Sequence, residues 1–309
     1  MTAETLANAL IGHPPDARLL LLNCDDFGLD EDVNLAVVDS VLRGIAASCS
    51  LMPPCHAAPH ALRLLRRHPE IPFGVHLTLV CESPARRWGP LAARDHVPSL
   101  LDETGELYAP TPAGRTALLA RARLDHVERE FRAQIDAVAA AGLAPTHLDF
   151  HCLADGGRTD ILELTLALGA EYGLAVRIWL PPALARMRER GLPVVDHGFL
   201  DSFAVPLDDK PARYARLLAA LRPGLTEWAV HPSLAGPASR RSDDGWRVRR
   251  SDYEFLTSPE ACGLLAEHDV TVLDYRPLQR VWRQAPPGSL RRSGVPRWGE
   301  PNGQASQGG

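Results

Sequence analysis

Leu19-Leu20-Leu21-Leu22-Asn23, continuing into Cys24-Asp25-Asp26-Phe27-Gly28, begins as an unbroken apolar run and ends on two adjacent acids. Four consecutive leucines leave no polar face. They predict a strand covered on both sides, as in parallel sheets flanked by helices. The chain after it alternates. Residues 33–43 have helical periodicity and stop at Gly44. Residues 46–52 read as a strand ended by Pro53-Pro54, 57–67 as a helix and 73–79 as the next strand. A segment rich in Pro, Gly and Trp (81–118) breaks this rhythm. Leu124, Val127, Phe131, Ile135 and Val138 then share one helical face, ending at Gly142. Strands at 146–151 and 174–180 enclose a helix at 159–172. A strand near 199–204, a helix near 211–221, a strand at 227–231, a helix near 258–267 and a strand at 270–274 follow.

Such repeated βα units imply a parallel sheet with right-handed crossovers. The expected fold class is α/β, an irregular (β/α) barrel of seven or eight mostly parallel strands, TIM-barrel-like. The expected organisation is an N-terminal extension (1–17), a single barrel domain (18–283) and a flexible tail (284–309) of Pro, Gly, Arg and Ser.

The composition narrows the function. The 309 residues are 45% hydrophobic and 23% charged, with a formal net charge of -5, so neither a disordered chain nor a fibre is expected, nor a nucleic-acid partner. No apolar run approaches the ~20 residues of a membrane helix, and no basic residue precedes Arg18, so neither a membrane span nor a secretion signal is expected. Six cysteines without a C-x-x-C pair read as reduced thiols in a cytoplasmic protein and argue against a zinc ribbon. There is no G-x-G-x-x-G after the first strand and no Walker sequence, so dinucleotide and P-loop chemistry have no support. The single lysine, Lys210, lies in the loop-like run Asp208-Asp209-Lys210-Pro211, which argues against a Schiff-base enzyme.

In βα barrels the chemistry sits at the carboxyl ends of the strands. Four strand ends here carry polar side chains: Asp25-Asp26, His76, His147-Leu148-Asp149-Phe150-His151 and His231-Pro232. One Asp and two His can fill three positions on a divalent ion and leave others open to water and substrate. Such an ion lowers the pKa of its water toward ~7 and polarises a carbonyl. A second carboxylate can take the water's proton, and an imidazole can give one to the leaving group.

Strand alternation puts His147, Asp149 and His151 on one face. His151, nearest the rim, is the expected ligand. Asp149 is placed to orient an imidazole, and His147 reads as structural. Asp25 and Asp26 would face opposite sides of an ideal strand, so they share a site only if the strand ends there. Cys152 reads as a small buried residue, since neighbours on a strand point apart. Arg177, at a strand end, is a candidate for orienting a carboxylate or binding a substrate oxygen. The plainer alternatives are a turn and helix cap for Asp25-Asp26 and hydrogen-bonded core positions for His76 and His231.

Taken together, these segments resemble the YdjC-like (ChbG-like) carbohydrate deacetylases. Asn23-Cys24-Asp25-Asp26-Phe27-Gly28-Leu29, with Asn34 following, is similar to that family's N-A-D-D-F-G opening. Gly74-Val75-His76-Leu77-Thr78, Pro145-Thr146-His147-Leu148-Asp149-Phe150-His151 and Thr226-Glu227-Trp228-Ala229-Val230-His231-Pro232 resemble its later motifs in the same order, over roughly residues 18–276. The resemblance implies a metal-dependent hydrolase that removes acetyl groups from small N-acetylated sugars. It implies Asp26, His76 and His151 as ligands of a divalent ion (Mg or Zn), Asp25 as base and His231 as acid. Cys24 stands where the family has Ala and Phe150 where it has Ser. Cys152-Leu153-Ala154-Asp155-Gly156 replaces a histidine-rich run, which implies a reshaped cleft. The alternatives are another metal-dependent barrel enzyme (a sugar isomerase or phosphoester hydrolase) and a degenerate sugar-binding module. A homodimer is left open.

Overall fold

The computed structural model describes residues 6–285. Most of the expected tail, from residue 286 onward, lies outside the described residues. In chain order the elements are α1 (Ala7–Ile11), β1 (Arg18–Phe27), α2 (Glu31–Leu42), β2 (Ser48–Leu51), α3 (Ala58–Arg67), β3 (Phe73–Leu77), α4 (Pro112–Arg121), α5 (Leu124–Ala140), β4 (His147–Phe150), α6 (Thr159–Tyr172), β5 (Ala175–Val176), α7 (Pro181–Glu189), β6 (Phe199–Asp201), α8 (Lys210–Ala219), β7 (Gly224–Val230), α9 (Pro237–Ser242), α10 (Trp246–Leu256), α11 (Pro259–Glu267), β8 (Val270–Leu273) and α12 (Arg276–Gln284).

The strands form one parallel sheet in the order β5-β4-β3-β2-β1-β7-β6, with β8 pairing the first half of β1. The leucine run of β1 is its axis. Leu19 to Leu22 are at most 1% exposed, and β1 pairs with β2, β7 and β8. Burying side chains of this kind contributes ~1.5–3 kcal/mol each. The α/β barrel expected from the alternation is present as a curled sheet. Among the described residues its hydrogen-bonded path ends at β5 and β6, and side chains span that gap. Trp179, just beyond β5, stacks on Phe199 of β6 at 4.9 Å, and the Arg177 guanidinium lies 5.5 Å from the Phe199 ring centre.

Several local readings change. The strand expected over 174–180 shrinks to β5, because Arg177 turns its head into the barrel and Pro181-Pro182 begin α7. Helices α4, α7, α9, α10 and α12 had no counterpart in the sequence reading. All of these but α10 have Pro in the first turn, where the missing N–H costs nothing, although Pro reads locally as a breaker. Lys210 is not in a loop. It opens α8 and is fully buried.

The acidic end of β1 closes at Phe27, just before Gly28, and it bulges before it ends. The pairing register with β2 shifts between Cys24 and Phe27, and Asp26 has φ 65°. One residue in the left-handed region bends the strand and re-aims the side chain, so neighbouring acids line the same cleft. The loop is tied down beyond the bulge, where the Gly28 N–H donates to Asn34 Oδ1 at 2.6 Å.

Gly74 of β3 shows how tightly the barrel floor is packed. A Cβ added there would sit 2.5 Å from the His147 imidazole, which is itself stacked on Tyr275 at 3.7 Å. The ring has nowhere to go. Gly74→Ala is therefore expected to destabilise the fold by about 1–3 kcal/mol, measured as a lower urea midpoint at unchanged slope. A midpoint equal to the parent's would contradict this packing.

Candidate metal centre

The strand ends surround a cleft of about 390 Å³ that Asp25, Asp26, His76, His151 and His231 all line. His76 comes from β3, His151 follows β4 and His231 follows β7. Each of the five expected site residues is at most 7% exposed.

Asp26, His76 and His151 converge on one point. Asp26 Oδ1 lies 3.4 Å from His76 Nε2 and 3.1 Å from His151 Nδ1. Two donors each ~2.0–2.2 Å from a common ion, at tetrahedral or octahedral angles, sit about 3–3.5 Å apart. The spacing therefore fits a divalent cation, and so does the donor set of one carboxylate and two imidazoles. Two other triplets of donors lie close enough to hold an ion among the described residues: Asp25-His76-Asp149 and Glu82-His151-Cys152. The first already holds a cation, because Arg177 neutralises both of its carboxylates. In the second, Glu82 Oε1 pairs with Arg249 at 2.5 Å and Oε2 lies 3.4 Å from His151 Nε2, on the opposite ring nitrogen from the one that faces Asp26.

The surroundings aim the donors. His76 Nδ1 is bound to Asp149 Oδ1 at 2.8 Å, which turns Nε2 toward Asp26. Asp149 thus occupies the orienting position expected of it. Asp26 Oδ2 pairs with Arg249 Nη2 at 2.8 Å, leaving Oδ1 to face the imidazoles. Burial alone would lower the His76 pKa, but the charges of Asp149 and Asp25 push it up to about 10. His151 is likewise raised against the effect of burial, by Cys152 and Asp26. Burial would raise Asp26, yet Arg249 and the two imidazoles hold it well below the usual carboxylate range. These shifts describe a pocket whose field favours positive charge.

Asp25 is held differently. Arg177 grips it with two parallel bonds, Nη1 to Oδ2 at 2.7 Å and Nη2 to Oδ1 at 2.9 Å, and Asn23 Nδ2 donates to Oδ1 at 2.7 Å. Its nearest approach to His76 Nε2 is 4.0 Å. Burial works to raise its pKa, but Arg177 and His76 bring it below the ordinary value. Asp25 is an ionised acceptor beside the triplet. Arg177 also donates from Nε to Glu227 Oε1 at 2.7 Å, and Tyr275 OH donates to the same oxygen at 2.5 Å.

His147 is fully buried on the floor, against Thr146 and Tyr275, away from the triplet. Cys152 is a correction. It is exposed, has φ 56° and lines the cleft, with Sγ 3.4 Å from His151 Nε2. Strand alternation does not apply to it because β4 ends at Phe150. The sequence reading missed Glu82, Arg249 and Glu227. Glu82 lies in the irregular 81–118 segment, and Arg249 is one of several arginines on α10. Glu227 was quoted in a motif, but nothing local marked it as the partner of Arg177.

The chain is similar to known proteins along most of its length. The family model for YdjC-like proteins matches residues 19–267. A carbohydrate deacetylase of Brevibacillus brevis is 36% identical over 262 residues, covering 84% of this chain and 99% of the relative. A carbohydrate deacetylase of Geobacillus stearothermophilus is 30% identical over 265 residues, covering 85% of this chain and 99% of the relative. A crystal structure of an Enterococcus faecalis protein superposes with a TM-score of 0.72 at 24% identity, covering 85% of this chain and 99% of that one, which supports the fold. Since the family model spans every strand that carries the cleft's acids and histidines, with full-length relatives alongside it, this chain belongs to the YdjC-like family.

Proposed function

We propose that this chain is a metal-dependent hydrolase that removes acetyl groups from N-acetylated carbohydrates. The observation that carries the reading is the convergence of Asp26, His76 and His151 on one point, with Asp25 clamped beside them by Arg177. The relatives named as carbohydrate deacetylases support it. Asp26 Oδ1, His76 Nε2 and His151 Nδ1 would hold the cation, either Zn or Mg. When bound, it supplies Lewis acidity toward the amide carbonyl and makes water easier to deprotonate.

The chain's own residues do the rest. Asp25 accepts a proton from the attacking water; Arg177 keeps its carboxylate ionised and aimed. His231 protonates the amine nitrogen as the C–N bond breaks and its electron pair moves to nitrogen. Trp179, Phe199 and Phe203 give the cleft an aromatic wall suited to the apolar face of a sugar ring.

The rival reactions fit less well. A sugar isomerase would want further acidic ligands, yet Asp25, Asp149 and Glu227 all pair with Arg177. A phosphoester hydrolase would welcome a second metal, and Glu82, the best-placed extra carboxylate, is tied to Arg249. A panel scored in parallel for acetate release, sugar interconversion and phosphate release separates the three. Acetate from N-acetylated sugars is the expected product, and its absence beside either other product would sink the reading.

His151→Ala is expected to lower bound metal severalfold and acetate release by at least ~10²-fold, read by elemental analysis and an acetate assay. Full metal content with full turnover would contradict the ligand set. Asp25→Asn is expected to keep the metal and lose about 10²–10⁴-fold in kcat. Unchanged kcat would remove Asp25 from the chemistry.

Ion binding should also release protons. His76, with its pKa pushed up to about 10, holds a proton at neutral pH when no ion is present, and the His151 pKa is raised in the same direction, so a cation must compete with protons. Affinity therefore rises with pH and falls as protons compete for the imidazoles. Calorimetry at pH 7 in buffers of different ionisation enthalpy should show about one proton or more released per ion. No release would mean that the imidazoles are not ligands.

A further inference from the structure

The ring of His231 rests on a buried polar chain that the proposed chemistry does not by itself explain. His231 Nδ1 is 2.8 Å from Ser202 Oγ, in the 3-10 turn Ser202–Ala204 that follows β6. Ser202 Oγ donates to Asp252 Oδ2 at 2.6 Å, and the His231 backbone N–H donates to the same oxygen at 3.0 Å. The other carboxylate oxygen, Oδ1, receives Tyr214 OH at 2.7 Å and pairs with Lys210 Nζ at 2.6 Å. Ser202, Lys210 and Asp252 are 0% exposed and Tyr214 is 1% exposed. Lys210 is the only lysine in the sequence. A buried ion pair adds little stability over an apolar pair of the same volume, so its position calls for another reason.

We propose that Lys210, Asp252 and Ser202 form a relay that fixes the tautomer of His231, with the proton on Nδ1 and Nε2 free toward the cleft. This rests on the reading of His231 as the group that protonates the leaving amine. An ionised carboxylate only accepts hydrogen bonds. Lys210 pairs with Oδ1 and Tyr214 donates to it, so Asp252 stays an acceptor, and the one proton of Ser202 is spent on Oδ2. The serine oxygen is then left to accept from His231 Nδ1–H. Asp201, the other acid near this nitrogen, is 3.9 Å away and half exposed. With Nδ1–H engaged, the ring can take a second proton on Nε2 and hand it to the leaving nitrogen. If the chain ran the other way, Ser202 would donate to Nδ1 and the ring could not become an imidazolium. Lys210 sets the direction. Ser202, Asp252 and Lys210 are positioning residues acting through His231.

The experiment is ¹⁵N NMR of histidine-labelled, ion-free protein, followed into alkaline solution until the His231 signals stop changing with pH. His231 is assigned by the loss of its signals in His231→Gln. The parent is expected to show the Nδ1–H form. Ser202→Ala, a small change in a folded background, should shift the population toward Nε2–H. In Asp252→Asn, Lys210 holds the amide oxygen and the amide nitrogen faces Ser202, so the chain reverses and Nε2–H dominates. Acetate release should then show kcat lowered about 10-fold or more in both variants, with KM and bound metal unchanged. A parent ring in the Nε2–H form overturns the relay, as do two variants that both stay in the Nδ1–H form. Full activity in His231→Gln overturns instead the reading of His231 on which the relay depends.

Discussion

A carboxylate taken out of water must be neutralised, and the cation that does so decides what the carboxylate can then do. Six acids crowd the end of this barrel. Arg177 takes Asp25, Asp149 and Glu227, while Arg249 takes Glu82, Asp243 and one oxygen of Asp26. Each of these six acids is neutralised by one of the two guanidiniums, and the second oxygen of Asp26 is left to face the two imidazoles. The place for a metal ion is therefore defined as much by where the arginines are as by where the ligands are.

The same constraint shapes the fold. Arg177 leaves β5 after two residues in order to reach Asp25 on β1 and Glu227 on β7, across the place where the sheet is not closed by hydrogen bonds. Its charge network and the Trp179–Phe199 stack bind the two edges together. Asn23, Ser48 and Ser50 connect the same floor: Ser48 donates to Asn23, Asn23 donates to Ser50 and Asp25, and Ser50 donates to Asp149. The side chains of this chain of bonds all find partners, which holds them rigidly and ties the precision of the site to the integrity of the sheet.

Much of this was legible in the chain because it is local. The leucine run, the helical stripe from Leu124 to Val138 and the placing of Asp25, Asp26, His76, His151 and His231 at strand ends follow from periodicities of two and 3.6. The β1 bulge was not legible, since a left-handed Asp leaves no mark in the sequence. Arg249 and Glu82 were not legible either. They lie 167 residues apart and meet only in three dimensions. Four helices that begin with Pro, α4, α7, α9 and α12, were hidden for a related reason: the residue that ends one helix also suits the first turn of the next. Lys210 looked like part of a solvated loop because Asp208, Asp209 and Pro211 surround it. Its partner, Asp252, lies in a helix whose arginines give no apolar stripe to read.

The central claim is that three residues distant in sequence form one cation site while their charged neighbours are already spoken for. It is tested most directly by diffraction at the zinc absorption edge from crystals grown with zinc. The account predicts a single strong anomalous peak in the cleft, within ~2.0–2.2 Å of Asp26 Oδ1, His76 Nε2 and His151 Nδ1. A peak seated between Asp25 and Asp149 in place of Arg177, or a cleft without a peak at saturating zinc, would contradict it.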